Sequence, residues 1–222
     1  MLETFNIRIV LEYMPFYLKC FFATVWLSGL SLLGAMLLGI IACSMRMSKS
    51  RLMSGAAGVY IESIRSTPLL VQLYFFYFGL PTLGVMIPEW VTGVIALTLN
   101  SGAYYAEIIR AGIQAIHIGQ IEAGIASGLN YFQRMQNIIL PQALGMTVRP
   151  MLGQAIVLVK DSSLLSLISI VELTRAGQLL TSDRFMPLEG FLTTAAFYLI
   201  IYYMLKAFSL WSEKRLVFRD AH

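Results

Sequence analysis

CFFATVWLSGLSLLGAMLLGIIACSM, residues 20–45, contains no charged side chain. At about 1.5 Å per residue, a helix of that length outspans the roughly 30 Å hydrocarbon core of a bilayer. The stretch reads as a membrane span, preceded by Lys19 and followed at once by Arg46, Lys49 and Arg51. It does not read as a cleavable leader, because it begins only after Lys19, exceeds the length of a signal h-region and lacks a small-x-small cleavage site. The residues before it mix Glu3, Arg8, Glu12, Tyr13 and Pro15, which suits an interfacial segment.

Composition agrees with that reading. The 222 residues are 58% hydrophobic and 13% charged, with a mean hydropathy of +0.73, whereas about a quarter of a soluble domain is charged. Outward from the first span, the hydrophobic runs and their polar punctuation predict an all-α membrane protein with five transmembrane helices. Their positions are about 20–45, 66–82, 90–109, 150–171 and 190–211, with a cytoplasmic loop at 112–148 and one transmembrane domain over residues 1–222. Arg65 to Pro68 opens the second span, Tyr74 to Phe78 forms an aromatic stripe near its outer end, and Pro81, Gly84 and Pro88 mark an external turn.

The basic residues fix the expected orientation. Arg46, Lys49, Arg51, Arg65, Arg110, Arg134, Arg149, Lys206, Lys214, Arg215 and Arg219 fall on one side of this layout, against Arg8, Lys19, Arg175 and Arg184 on the other. Cytoplasmic segments carry the excess of Lys and Arg, so the N-terminus is expected outside and the C-terminus in the cytoplasm. The net charge of +4 is accounted for by topology, without a nucleic acid partner. Cys20 and Cys43 lie too far apart along one helix for a disulfide, and with His117 and His222 the only histidines no metal site is expected.

Between the third and fourth spans runs GQIEAGIASGLNYFQRMQNIILP, residues 119–141. Gly128 and Pro141 punctuate it, and Phe132, Met135 and Ile139 recur at helical spacing. The pattern predicts two short helices with a glycine elbow. Ala123, Gly124, Ala126 and Ser127 leave the first helix little bulk, so another surface can approach it closely, and Glu122 offers a charge or cap near its start.

This stretch resembles the coupling loop of ATP-binding-cassette importer permeases: Glu-Ala-Ala, three residues, Gly, nine residues, Ile, one residue, Leu-Pro. Glu122, Ala123, Gly128, Ile138, Leu140 and Pro141 stand at those spacings, and Gly124 replaces the second Ala. YIESIRSTPLLVQ (60–72), AYYAEIIRAG (103–112) and VKDSSL (159–164) are similar to the polar amino acid uptake subfamily, extending the resemblance over nearly the whole chain after residue 10. It implies a type I importer transmembrane domain, in the bacterial cytoplasmic membrane, whose loop docks on a cytoplasmic ATPase subunit dimer. It further implies a second permease subunit, identical or related, and an extracytoplasmic amino acid binding protein. The chain has no Gly-rich phosphate loop ending in Lys-Ser/Thr, so ATP and Mg belong to the partner and this chain is not itself an enzyme or cofactor binder.

Lys160 and Asp161, expected at the middle of the fourth span and followed by Ser162 and Ser163, are costly in lipid and ordinarily face a cavity or a partner. Two readings stay open. In one they join Asn100, Tyr104 and Glu107 in a pocket for the carboxylate and ammonium of an amino acid; in the other they pair with Glu107 or Arg110 to hold the spans together. A different class of function, an ion-coupled secondary transporter or channel, would use the same intramembrane charges as an ion path. A membrane enzyme lacks any spaced His/Asp/Glu or Ser/His constellation, His117 standing alone beside the loop.

Overall fold

The computed structural model describes residues 5–216. Arg219 lies outside the described residues, as do the side chains of Lys214 and Arg215.

Helix α1 (Ile7–Arg46) is 40 residues long and is capped by Asn6, whose side chain accepts from the Arg8 amide at 3.1 Å. It starts well before the charge-free run and passes through Pro15, because the mixed N-terminal segment is itself helical and buries Tyr17 and Cys20 in the bundle. Its buried positions Thr24, Ser28, Ser31, Ala35, Gly39 and Ala42 recur every three or four residues and are all small. Phe22, Trp26, Leu33 and Leu37 point outward. That arrangement is the one lipid favours: acyl chains are as apolar as leucine, so helices associate through close backbone approach over small residues. At Gly39 an added Cβ would lie 2.6 Å from Tyr105 Cβ.

α2 (Arg51–Arg65) starts at Ser50 and packs back against α1. α3 (Leu69–Thr82) contains a π-helical turn at Phe75–Gly79. The second span was expected over about 66–82, and Pro68 is the residue before α3. What precedes it is a second helix, so that residues 51–82 form one rod interrupted at 66–68. Thr67 precedes a proline and is disfavoured from helical geometry, while Pro68 has no N–H to continue a helix.

α4 (Glu89–Gln114) packs along α1, and its Gly112 admits the backbone of the next long helix so closely that a Cβ would lie 2.2 Å from Thr147 Cγ2. α5 (Ile118–Ala126) and the elbow at Gly128 lead into α6 (Tyr131–Ile168), with a π turn at Met135–Ile139. The two-helix reading of residues 119–141 therefore agrees with the fold, although the second helix does not stop at Pro141 but runs on through Pro150. Lys160 and Asp161 are not mid-helix. They end its α-helical part, after which Ser162–Ile168 tightens to a 3-10 helix and stops at Ser169 in the left-handed region (φ 67°).

The stretch 172–189, between the fourth and fifth expected spans, contains α7 (Leu173–Arg184), with Leu173, Ala176, Gly177 and Leu180 buried. α8 (Pro187–Leu216) closes the bundle against α7 and α6. Ile7–Arg46, Tyr131–Ile168 and Pro187–Trp211 are long and apolar enough to cross a membrane; Leu69–Thr82 is apolar but shorter. The protein is all-α and membrane-embedded.

Candidate functional site

The interruption between α2 and α3 frees backbone groups, and the buried side chain of Gln72 bonds two of them. Gln72 Nε2 lies 2.8 Å from the Ile64 carbonyl, 3.1 Å from the Thr67 carbonyl and 2.8 Å from Thr67 Oγ1. Thr67 Oγ1 in turn donates to the Ser63 carbonyl at 2.9 Å. Gln72 Oε1 accepts from Asn100 Nδ2 at 3.1 Å, tying the break to α4. Irregular backbone in a membrane protein is tolerated where it lines a cavity, as it does here.

A cavity of about 530 Å³ opens at the break, within the range of small-molecule sites. Arg65, Ser66, Thr67, Pro68 and Leu69 line it from the break, Asn100 and Tyr104 from α4, and Gln154, Val157 and Asp161 from α6. Arg65 lies over the Tyr104 ring at 5.3 Å, and its Nη1 is 3.5 Å from Glu107 Oε2. Glu107 is also gripped by Arg110, Nε to Oε1 at 2.9 Å and Nη2 to Oε2 at 2.7 Å. The lining thus holds one cation, Arg65, and one anion, Asp161, among neutral donors and acceptors.

Of the residues named from sequence, Asn100, Tyr104 and Asp161 meet in this cavity. Glu107 stands behind Arg65 rather than in the lining, Lys160 is exposed, Ser162 is fully buried with its hydroxyl donated to the Val159 carbonyl at 2.7 Å, and Ser163 is outside the lining. The alternative pairing of Lys160 or Asp161 with Glu107 or Arg110 is not what the structure contains: Glu107 pairs with Arg65 and Arg110. Arg65, counted from sequence among the basic residues of one side, lines the cavity.

Sequence reasoning missed Gln72, Gln154 and the functional side of Arg65. A charge beside Thr-Pro inside an apolar run signals a broken helix, and Gln154, Val157 and Asp161 share the i, i+3, i+7 spacing of one face.

The segment after α4 is built separately. His117 caps α5, its Nδ1 accepting from the Gly119 amide at 3.1 Å; Glu122 therefore lies inside the helix, exposed, and is not its cap. α5 ends in paired bonds, Gly128 N to Ile125 O at 2.9 Å and Leu129 N to Gly124 O at 3.0 Å, with Gly128 at φ +74°. This is the Schellman arrangement, which calls for a glycine at that position. Asn130 and Gln133 then form a reciprocal capping box at the start of α6.

Gly124 is the buried residue of α5; an added Cβ would lie 2.8 Å from Ile138 Cδ1 and 3.1 Å from the Arg134 side chain. Ala123, Gly128, Leu140 and Pro141 are exposed. So are Ile118, Ile125, Tyr131 and Phe132, at 55–72%, so that the two helices present apolar side chains with nothing over them. Phe132 points out rather than joining the packed set of Met135 and Ile139.

At the other end of the molecule, the carboxylate of Glu172 is fully buried. It caps α7 by accepting from Thr174 N (2.9 Å) and Arg175 N (2.8 Å), and also accepts from Tyr198 OH at 2.8 Å. Burial pushes its carboxyl up to about 7 against those hydrogen bonds. Leu173 N donates to Thr24 Oγ1 at 3.1 Å, fastening the same point to α1. Among the described residues no group of three His, Cys, Asp or Glu side chains converges as for a metal ion.

Residues 13–218 match the family of binding-protein-dependent transport system inner membrane components. The chain is 35% identical over 211 residues to the probable glutamine ABC transporter permease protein GlnM of Bacillus subtilis, covering 95% of this chain and 98% of that one. It is 40% identical over 180 residues to the glutamine transport system permease protein GlnP of Escherichia coli, covering 80% and 82%. Its fold matches the crystal structure of an amino acid ABC transporter with histidines at a TM-score of 0.91 and 35% identity, over 96% of this chain and 100% of that one. It also matches inward-facing MetNI methionine ABC transporter at a TM-score of 0.75 and 17% identity, a likeness of fold.

Proposed function

Because the chain belongs to the family of binding-protein-dependent transport system inner membrane components, it is a multi-pass permease subunit of an amino acid ABC transporter, and we propose that the cavity at the α2–α3 break holds the amino acid during passage. Hydrolysis of ATP belongs to a separate subunit, and a substrate-binding protein is the other partner the family implies. Five crossings are proposed: α1, the interrupted rod α2–α3, α4, α6 and α8, with the N-terminus outside and residues 1–222 acting as one domain.

The observation that carries the reading is the presence of Arg65 and Asp161 in one cavity, with Asn100, Tyr104 and Gln154. A zwitterion needs a donor for its carboxylate and an acceptor for its ammonium, both shielded from bulk water. Arg65 suits the first because guanidinium binds carboxylates through two parallel N–H groups; Asp161 suits the second. The polar lining favours a polar amino acid, glutamine being the one named in the two relatives above.

α5 and the start of α6, with Glu122, Ala123, Gly124, Gly128, Ile138, Leu140 and Pro141, are the proposed contact with a pair of ATPase subunits. The exposed apolar side chains and the rigid caps support this, since a stiff element transmits displacement where a loose one absorbs it. α6 carries both part of the cavity lining and part of this contact, and it packs closely against α4 at Gly112, so movement of one end reaches the other. The second permease subunit, identical or related, completes the pathway.

The test is uptake into proteoliposomes by the complete complex with its binding protein. Asp161→Asn and Asn100→Ala should raise the half-saturating amino acid concentration by roughly tenfold to a hundredfold, the worth of a hydrogen bond to a charge, while ATP hydrolysis without substrate stays at its wild-type rate. Unchanged half-saturation in both variants would remove the cavity from the pathway. Uptake that continued on an ion gradient after ATP depletion would favour the secondary-transporter reading instead.

A further inference from the structure

A second concavity, of about 1240 Å³, opens between the C-terminal part of α1, the end of α4 and the start of α6. It shares no lining residue with the cavity at the break, from which the buried cluster of Ala35, Tyr105 and Leu158 closes it off. Its wall is made of methionine and aliphatic side chains, among them Met36, Ile40, Met135 and Leu144. Ile40 and Leu144 are about half exposed, so it opens on the outer surface of the bundle. Its lining holds Lys49 and Arg134 and no acidic residue.

We propose that this groove binds one anionic phospholipid, its acyl chain along the methionine-rich wall and its phosphate at Lys49 and Arg134. Three features favour that occupant. An apolar concavity at bilayer depth forfeits dispersion contacts unless something fills it, and flexible methionines conform to a flexible chain. Both cations come from the helix ends on the side of α5: Lys49 from the turn after α1, Arg134 from the first turn of α6. Basic pockets between spans at that level bind anionic headgroups. A second copy of the chain fits worse, because a two-fold contact sets the same patch against itself and would oppose cation to cation with no acid in the lining.

The hydroxyls nearby have their protons engaged within the chain: Ser44 donates to the Ile40 carbonyl and Ser48 to Met53 Sδ. Arg134 commits one N–H to the Leu129 carbonyl, which makes Lys49 the cleaner residue to change.

The permease–ATPase complex would be placed in nanodiscs of phosphatidylglycerol and phosphatidylcholine, and the lipids it retains counted by native mass spectrometry. The wild type should retain one phosphatidylglycerol per permease chain in preference to phosphatidylcholine. Lys49→Ala, an exposed change, should cut that preference about fivefold, the effect of one basic residue at a membrane surface, while Arg8→Ala at the opposite end of α1 leaves it unchanged. Leu144→Trp, which fills the groove without altering charge, should lower retention of both lipids. Equal retention of the two lipids by the wild type, or an unchanged preference in Lys49→Ala, overturns the proposal. So does efficient disulfide formation between permease copies carrying Ile40→Cys, which would show a second chain over the groove.

Discussion

Single side chains decide whether the interrupted rod survives in lipid. Gln72 satisfies two carbonyls freed by the break and links them to Asn100. Gln72→Leu keeps the volume but takes the partner from the Thr67 carbonyl and from Asn100 Nδ2, at about 1–3 kcal/mol each. The complex carrying it should melt several degrees lower and lose amino acid affinity, both read on the same purified sample; an unchanged melting temperature would show that water or a rearranged backbone takes over. Glu172 makes a different prediction. Its carboxyl, pushed from an ordinary 4.5 up to about 7 in the folded protein, stays protonated in the fold between those values while the unfolded chain has already released its proton. The folded state then binds more protons, so this group's contribution to stability is full below about 4.5 and is lost as pH rises through about 7. Melting temperature should fall across that window in the wild type relative to Glu172→Gln, which cannot titrate; parallel curves would contradict the assignment.

At the scale of helices, α5 is shaped by what it lacks. Glycine weakens a helix interior by about 1 kcal/mol against alanine, and from sequence Gly124 is a loosened version of the Glu-Ala-Ala pattern. Packing reverses that judgement: Ile138 and Arg134 occupy the space a Cβ would need. Gly124→Ala should therefore reduce substrate-stimulated ATP hydrolysis despite restoring the more common residue, and Gly124→Ala with Ile138→Val, which removes the nearest methyl, should recover it. Full stimulation in the single variant would show that α5 shifts freely. Gly128 differs, since a Cβ there meets nothing within 4 Å and only its positive φ constrains it; bulk at that position is tolerated sterically and the cost comes from the backbone. The elbow was legible because glycine and proline act locally. The close packing at Gly124 was not, because it depends on residues that return through the π turn of α6.

Across the whole molecule, charge-free runs made the all-α membrane class readable, since lipid imposes length and polarity on every crossing. The helix ends were less readable: Ile7 to Lys19 carries charge yet is helical because Tyr17 packs against Phe197 and donates to the Gly190 carbonyl, a contact from the far end of the chain. The candidate site was legible in part for the same reason. Asn100, Tyr104 and Asp161 stood out as polar groups in apolar runs, but their convergence with Arg65 depends on a break that hydropathy averages away. Motor contact and cavity share α6, so the account stands or falls on whether the amino acid occupies that cavity. Equilibrium binding of a radiolabelled amino acid panel, glutamine included, to the purified permease–ATPase complex without binding protein tests this most directly. The account predicts saturable binding that is lost in Asp161→Asn and retained in Lys160→Gln; equal binding by wild type and Asp161→Asn would contradict it.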